Sequence, residues 1–206
     1  MQPPAQQDRA ASHPAWEVAL LFPGQGSWSQ KDYLALQTNR LVEFAEGNVE
    51  VLDVPTEEHQ LIVAFLYRAI MEFVTARGLG TVLFAPLRVK LWEGKFREPD
   101  VVFMLAENSL RRHGKFWDGA DLVVEVVSPE DPDRDLGTKR EEYARAGIPE
   151  YWIADPRDAT ITVLTLSSPG GPYAVAGTFG RGEQARSALL PGLEVDVERA
   201  FAEVVR

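Results

Sequence analysis

The spacing of apolar residues along this chain changes several times, and the changes mark out its elements. From Leu61 onward, Leu61, Ile62, Phe65, Leu66, Ala69, Phe73 and Val74 recur at helical spacing. Thr56 stands at the N-cap position of that run, Glu57 and Glu58 follow at the positive end of the helix dipole, and Gly78 closes it. The spacing predicts a core helix from Thr56 to Gly78. Upstream, Ser27 or Ser29 caps a short helix with Asp32 in its first turn and Tyr33, Leu34 and Leu36 as apolar contacts. VEFAEGNVEVLD reads as two short strands around the turn Glu46-Gly47-Asn48.

Beyond the long helix the pattern becomes strand-like. Strands are predicted over Thr81 to Leu91 and Arg97 to Leu105, with a turn at Glu93-Gly94-Lys95. The polar stretch from Ala106 to Gly119 reads as a loop with a helical turn. From Asp121 to Ser128 the apolar residues are continuous, as in a strand buried on both faces. SPEDPDRDLG is a loop of turn residues and acids, followed by a helix from Asp135 to Ala146 with Gly147 as its C-cap. EYWIADP and TITVLTL form a hairpin across Arg157-Asp158. After Ser167 the sequence is Gly-rich and weakly periodic, and LPGLEVDVERAFAEV adds a short strand and a terminal helix. This order predicts an α/β fold, a mixed β-sheet flanked by helices. Residues 1–15 read as a disordered tail, and 16–206 as a single domain of ordinary size.

Composition narrows the chemistry. There is no cysteine, which excludes disulfides, thiolate metal sites and a Cys nucleophile. The N-terminus has no signal-peptide core and no apolar run is long enough to span a bilayer, so the expectation is a cytoplasmic protein without membrane contact. The net charge of −10 argues against broad electrostatic attraction to polyanions; a local basic patch or a bound metal has to supply it.

Glu125 is the most informative residue. It lies inside Leu122-Val123-Val124-Glu125-Val126-Val127, and a carboxylate in a buried strand is costly unless something pairs with it. An internal salt bridge is the competing reading. Asp100 follows Pro99 at the mouth of the preceding strand; alone it reads equally as a turn residue. Lys139 shares a helix face with Leu136 and Tyr143, where a snorkelling surface lysine is the alternative. Together, two carboxylates from neighbouring strands and a lysine from the next helix suit Mg²⁺ or Mn²⁺ and a phosphodiester. Ser128 contacts this site from its strand end or only caps the loop. No Walker loop, dinucleotide fingerprint or H-E-x-x-H occurs. Leu21 to Ser27 is similar to the opening of acyl-carrier-protein acyltransferases, but the G-x-S-x-G turn they need is missing.

The stretch REPDVVFML…GADLVVEVVSPEDPDRDLGTKREEYARAGIPEYWIADP resembles the Uma2 family, once known only as a domain of unknown function, whose members are read as endonucleases. That family resembles the PD-(D/E)XK restriction-endonuclease-like superfamily. The resemblance places the superfamily acids on Asp100 and Glu125. Val127 stands where its lysine is expected, and Lys139 takes that role from the following helix. It also implies an upstream acid at Glu43. A histidine at the start of the long helix matches His59, which either satisfies a helix-start hydrogen bond or contacts substrate or a metal-holding side chain. The implied function is metal-dependent hydrolysis of DNA, with a homodimer expected for cutting two strands. A catalytically inactive binding or scaffolding protein on the same fold is the other reading, favoured by the net charge.

Overall fold

The computed structural model describes residues 22–38, 40–128, 131–168 and 170–202; the tail expected over 1–15 lies outside them. In chain order the regular elements are α1 (Gln30–Ala35), β1 (Val42–Ala45), β2 (Asn48–Val51), α2 (Glu57–Arg77), β3 (Gly80–Phe84), β4 (Val89–Trp92), β5 (Lys95–Arg97), β6 (Val101–Leu105), β7 (Arg112–His113), β8 (Phe116–Asp118), β9 (Leu122–Val126), α3 (Lys139–Arg145), β10 (Glu150–Asp155), β11 (Thr160–Leu166), β12 (Tyr173–Phe179), β13 (Gln184–Arg186), β14 (Glu194–Asp196) and α4 (Val197–Ala202). A 3₁₀ turn spans Ala106–Arg111 and a π-helical stretch spans Arg134–Thr138.

The expected α/β fold is the one observed, with two six-stranded sheets where one was predicted. One sheet has the order β12-β11-β10-β9-β6-β3, and the other β2-β1-β5-β4-β8-β7. The first is mixed: β9 and β10 run parallel and the other pairs antiparallel. Both predicted strands before β9 are divided between the sheets. Thr81 to Leu91 becomes β3 and β4, separated by Pro86, which has no N–H to continue a ladder. Arg97 to Leu105 becomes the end of β5 and β6, separated by Pro99.

Side chains alternate across β9, and this alternation aims the site. Leu122, Val124 and Val126 pack on one face with Ile62, Leu66, Ile70 and Val74 of α2. Val123 and Val127 face the other way, into a second core with Tyr143 of α3, Val89 and Trp117. Glu125 has the parity of this second face. The helix caps formed as expected: Ser29 closes a capping box with Asp32, Thr56 accepts from the His59 N–H, and Gly78 ends α2 at φ 62°. At the β1–β2 turn Gly47 has φ 80°, and a Cβ there would stand 2.7 Å from the Gly26 carbonyl oxygen. The glycine-rich segment that resembled an acyltransferase opening therefore packs against a hairpin turn.

Glu150 shows that a buried strand carboxylate need not be catalytic. Its oxygens accept from Trp152 Nε1 at 2.7 Å, the Ser187 hydroxyl at 2.6 Å and the Ala188 and Leu189 N–H groups, both at 2.7 Å. These bonds tie β10 to the segment before β14. Glu150→Ala leaves those donors without their acceptor. It is expected to cost about 3 kcal/mol in urea unfolding while leaving the cleft chemistry intact; a loss under about 0.5 kcal/mol would contradict this structural role.

Candidate active site

The β6–β9 register pairs Val101 with Val124, so one further step sets Asp100 opposite Glu125 on the same face. Asp100 accepts the Val126 N–H on Oδ2 at 2.8 Å. Nε2 of His59 lies 3.2 Å from the same oxygen. His59 is one helical turn before Ile62 and thus continues the buried stripe of α2 to the start of β6, where Asp100 stands. Its backbone N–H is bound by Thr56 and its Nε2 lies against Asp100, while the buried Nδ1 has no hydrogen-bond partner among the described residues. Burial opposes charge on the imidazole, but the Asp100 hydrogen bond and carboxylate outweigh it and raise the His59 pKa.

Glu125 is 2% exposed, and the structure supplies the partners its position demands. Lys139 Nζ lies 3.0 Å from Oε2, and the Tyr143 hydroxyl donates to Oε1. Lys139 also lies 2.8 Å from Asp135 Oδ1, an ion-pair contact without hydrogen-bond geometry. Lys139 opens α3 and Tyr143 follows one turn later, and these two members of the face predicted from spacing meet Glu125; the third, Leu136, lies in the π-helical stretch and is exposed. The lysine is buried and does not snorkel. Burial disfavours its charge, yet Glu125, Asp135 and Glu43 hold it ionised far above neutral pH. Burial pushes the Glu125 carboxyl up, Lys139 opposes this, and Asp100 and Asp135 reinforce it. The cluster thus sets three carboxyl groups, of Asp100, Glu125 and Asp135, against Lys139 and His59, in a cleft of about 130 Å³ that Ser128 also lines.

Glu43 sits apart from this arrangement of donors. Its carboxylate accepts from Arg97 and Arg134, and from the Glu98 N–H at 3.2 Å. Burial would raise its pKa, but Lys139, Arg97 and Arg134 bring it down to about 2. Glu50 faces Glu43 directly across β1–β2, and Arg134 bridges the two acids. Arg97 also binds both oxygens of Glu142, with Nε to Oε2 at 2.7 Å and Nη2 to Oε1 at 2.9 Å. Glu43 therefore acts geometrically as an anchor for the segment that delivers Asp135 and Lys139.

Sequence reasoning passed over Asp135, Arg134 and Arg97. Asp135, at the start of the predicted helix, and Lys139 carry the i,i+4 signature of a helical ion pair, which the run of acids just before it masks. Tyr143, named in the sequence only as a neighbour of Lys139 on its helix face, also bonds Glu125. His113 is exposed in β7, and His13 lies outside the described residues.

Among the described residues no three His, Asp or Glu side chains form a ready-made metal cage. Asp100 and Glu125 still fit a small hard cation, since Mg²⁺ is commonly held by one or two carboxylates, waters and substrate phosphate.

A model of a protein family described as "Putative restriction endonuclease", Uma2, matches residues 30–198. The chain belongs to the Uma2 family. This Uma2 chain also resembles the crystal structure of a putative nuclease belonging to DUF820 from Anabaena variabilis ATCC 29413. The TM-score is 0.70 at 16% identity, covering 86% of this chain and 99% of that one. That likeness is one of fold, and it agrees with the restriction-endonuclease-like architecture expected from the sequence. No curated protein matches the Uma2 chain. No helix among its described residues is long and apolar enough to cross a membrane.

Proposed function

We propose that this Uma2 protein is a metal-dependent endonuclease that hydrolyses DNA phosphodiester bonds. The observation that carries the reading is the placement of Asp100, just ahead of β6, beside Glu125 on β9, with Lys139 3.0 Å from Glu125 in the same cleft. Asp100 and Glu125 would hold Mg²⁺ or Mn²⁺. When bound, such a cation lowers the pKa of water and offsets charge on the phosphate. Lys139 presents a fixed ammonium that orients the attacking water or stabilises the charge gathering on phosphate oxygens. Water adds to phosphorus, one P–O ester bond breaks, and a phosphomonoester and an alcohol leave. Tyr143 holds the Glu125 carboxylate, and His59 with the Val126 N–H holds Asp100. Glu43 contributes through Arg134, by fixing the segment ahead of Lys139. Ser128 borders the cleft and would contact the substrate from the end of β9.

A divalent cation beside Asp100 and Glu125 favours the ionised form of the Glu125 carboxyl, which burial otherwise disfavours. Glu125→Ala is expected to lower Mn²⁺ affinity by about 10-fold or more and to abolish Mn²⁺-dependent cleavage. Calorimetric titration with Mn²⁺ and a plasmid-nicking assay read the two effects separately. Equal cleavage by wild type and Glu125→Ala would sink the assignment. The second reading, an inactive binding or scaffolding protein, draws on the net charge of −10 and on Val127 at the usual lysine position. It predicts no Mn²⁺-dependent cleavage by the wild type. A homodimer would serve cleavage of both duplex strands, and sedimentation at micromolar concentration tests it.

A further inference from the structure

The cleft does not end at Asp100. Past His59 it opens into a groove of about 570 Å³, within the usual range of small-molecule sites. His59, Asp100, Leu52 and Val54 border both cavities. The far part of the groove is apolar. Tyr67 of α2 and Phe84 at the end of β3 meet edge to face, with ring centroids 4.8 Å apart. Phe84 is 50% exposed and Val54 68%, so folding leaves an aromatic and an aliphatic surface in water beside a charged cleft. Arg40 and Arg68 also line this groove.

We propose that the groove takes up one unpaired nucleobase of the strand whose phosphate lies against Asp100 and Glu125. The preferred substrate is then single-stranded DNA, or DNA with a nucleotide already out of its stack. This rests on the nuclease reading and names its substrate class. Duplex affinity comes chiefly from neutralising many phosphates with Lys and Arg. A chain of net charge −10 has little of that to offer. An unpaired base presents a π-face on which an exposed aromatic side chain stacks, tolerant of sequence, and a single strand needs only a local basic groove such as Arg40 and Arg68 line here. The base also hangs one sugar away from its phosphate, and the groove begins at His59 and Asp100, which line the cleft as well. A paired base reaches such a groove only after unpairing, which favours substrates where that cost is already met.

The test uses the full chain with Mn²⁺ and three substrates of one sequence: a single strand carrying one 2-aminopurine, a gapped duplex and a fully paired duplex. The single strand and gapped duplex are expected to be cleaved about 10-fold faster than the paired one. Binding quenches the 2-aminopurine fluorescence. Phe84→Ala removes the quenching and raises KM for the single strand about 10-fold, with kcat little changed. Tyr67→Leu, on the α2 wall of the groove and outside the cleft, is expected to act in the same direction and serves if Phe84→Ala folds poorly. Equal cleavage of all three substrates, indifferent to both variants, overturns the groove and leaves the nuclease reading standing. Quenching that depends on Phe84 without any cleavage removes the nuclease reading and keeps the base site. Neither quenching nor cleavage removes both. If the variants change oligomeric state or melting temperature but bind DNA as the wild type does, the groove is covered by this chain or a second copy, and the proposal falls.

Discussion

Lys139→Met is expected to reduce Mn²⁺-dependent kcat by about 10²–10³-fold, the loss typical for one preorganised group that stabilises transition-state charge. The sidedness of the effect is the informative part. Lys139 is the cation in contact with Glu125 and Asp135, so its removal leaves those carboxylates without their countercharge. A divalent cation then meets a more negative cluster, and Mn²⁺ affinity should stay the same or rise while cleavage falls. Glu125→Ala loses both together. A purely structural role for Lys139 predicts a different pattern: a lower melting temperature with kcat retained below it. The buried pair makes some destabilisation certain, on the order of 3 kcal/mol, so kcat is compared well below the melting temperature. Wild-type cleavage by Lys139→Met would remove Lys139 from the chemistry.

This site was legible where its logic is local. Glu125 stood out because a continuous apolar strand contained one acid, and β9 has the predicted place and burial. Asp100 and Glu125 meet because β6 and β9 pair antiparallel, and their register follows from the same alternation that buries Val101 and Val124 on one face. Lys139 and Tyr143 were placed by helical spacing, and both reach Glu125. The illegible parts depend on pairs distant in sequence. Glu43 binds Arg97 and Arg134, 54 and 91 positions away, and no periodicity reports such partners. The π-helical stretch that carries Asp135 has no apolar pattern of its own, because its role is to turn charges inward. Strand β12 was missed for another reason. Most of its side chains are exposed or half-exposed, so burial never imprinted an alternation, and Gly177 faces Val163 where the register shifts. The division of two predicted strands between the sheets followed the prolines, which marked breaks the apolar pattern alone did not show.

Glu43→Gln is expected to have the largest effect on stability, although the residue lies behind the cleft. The carboxylate is 1% exposed and receives both Arg97 and Arg134. An amide removes the charge that compensates two guanidinium groups, at a cost of about 3–5 kcal/mol for a broken buried pair. Glu142 still compensates Arg97, and Glu50 still compensates Arg134, which argues for the lower end. The dependence on pH separates this from a packing defect. The folded-state pKa of about 2 lies below the ordinary value of 4.5, so Glu43 contributes its full stabilisation above about pH 4.5 and loses it as pH falls toward 2. The wild type should therefore lose on the order of 3 kcal/mol over that window through this group alone. Glu43→Gln has no such titration and should approach the wild type at low pH. Urea unfolding at pH 7 and at points down to pH 3 checks both statements. Two unfolding curves separated by the same free energy at every pH would show that Glu43 acts through its shape and not its charge. Cleavage should fall in step with the fraction in which Arg134 is displaced, because the segment it holds is the one that delivers Asp135 and Lys139 to Glu125.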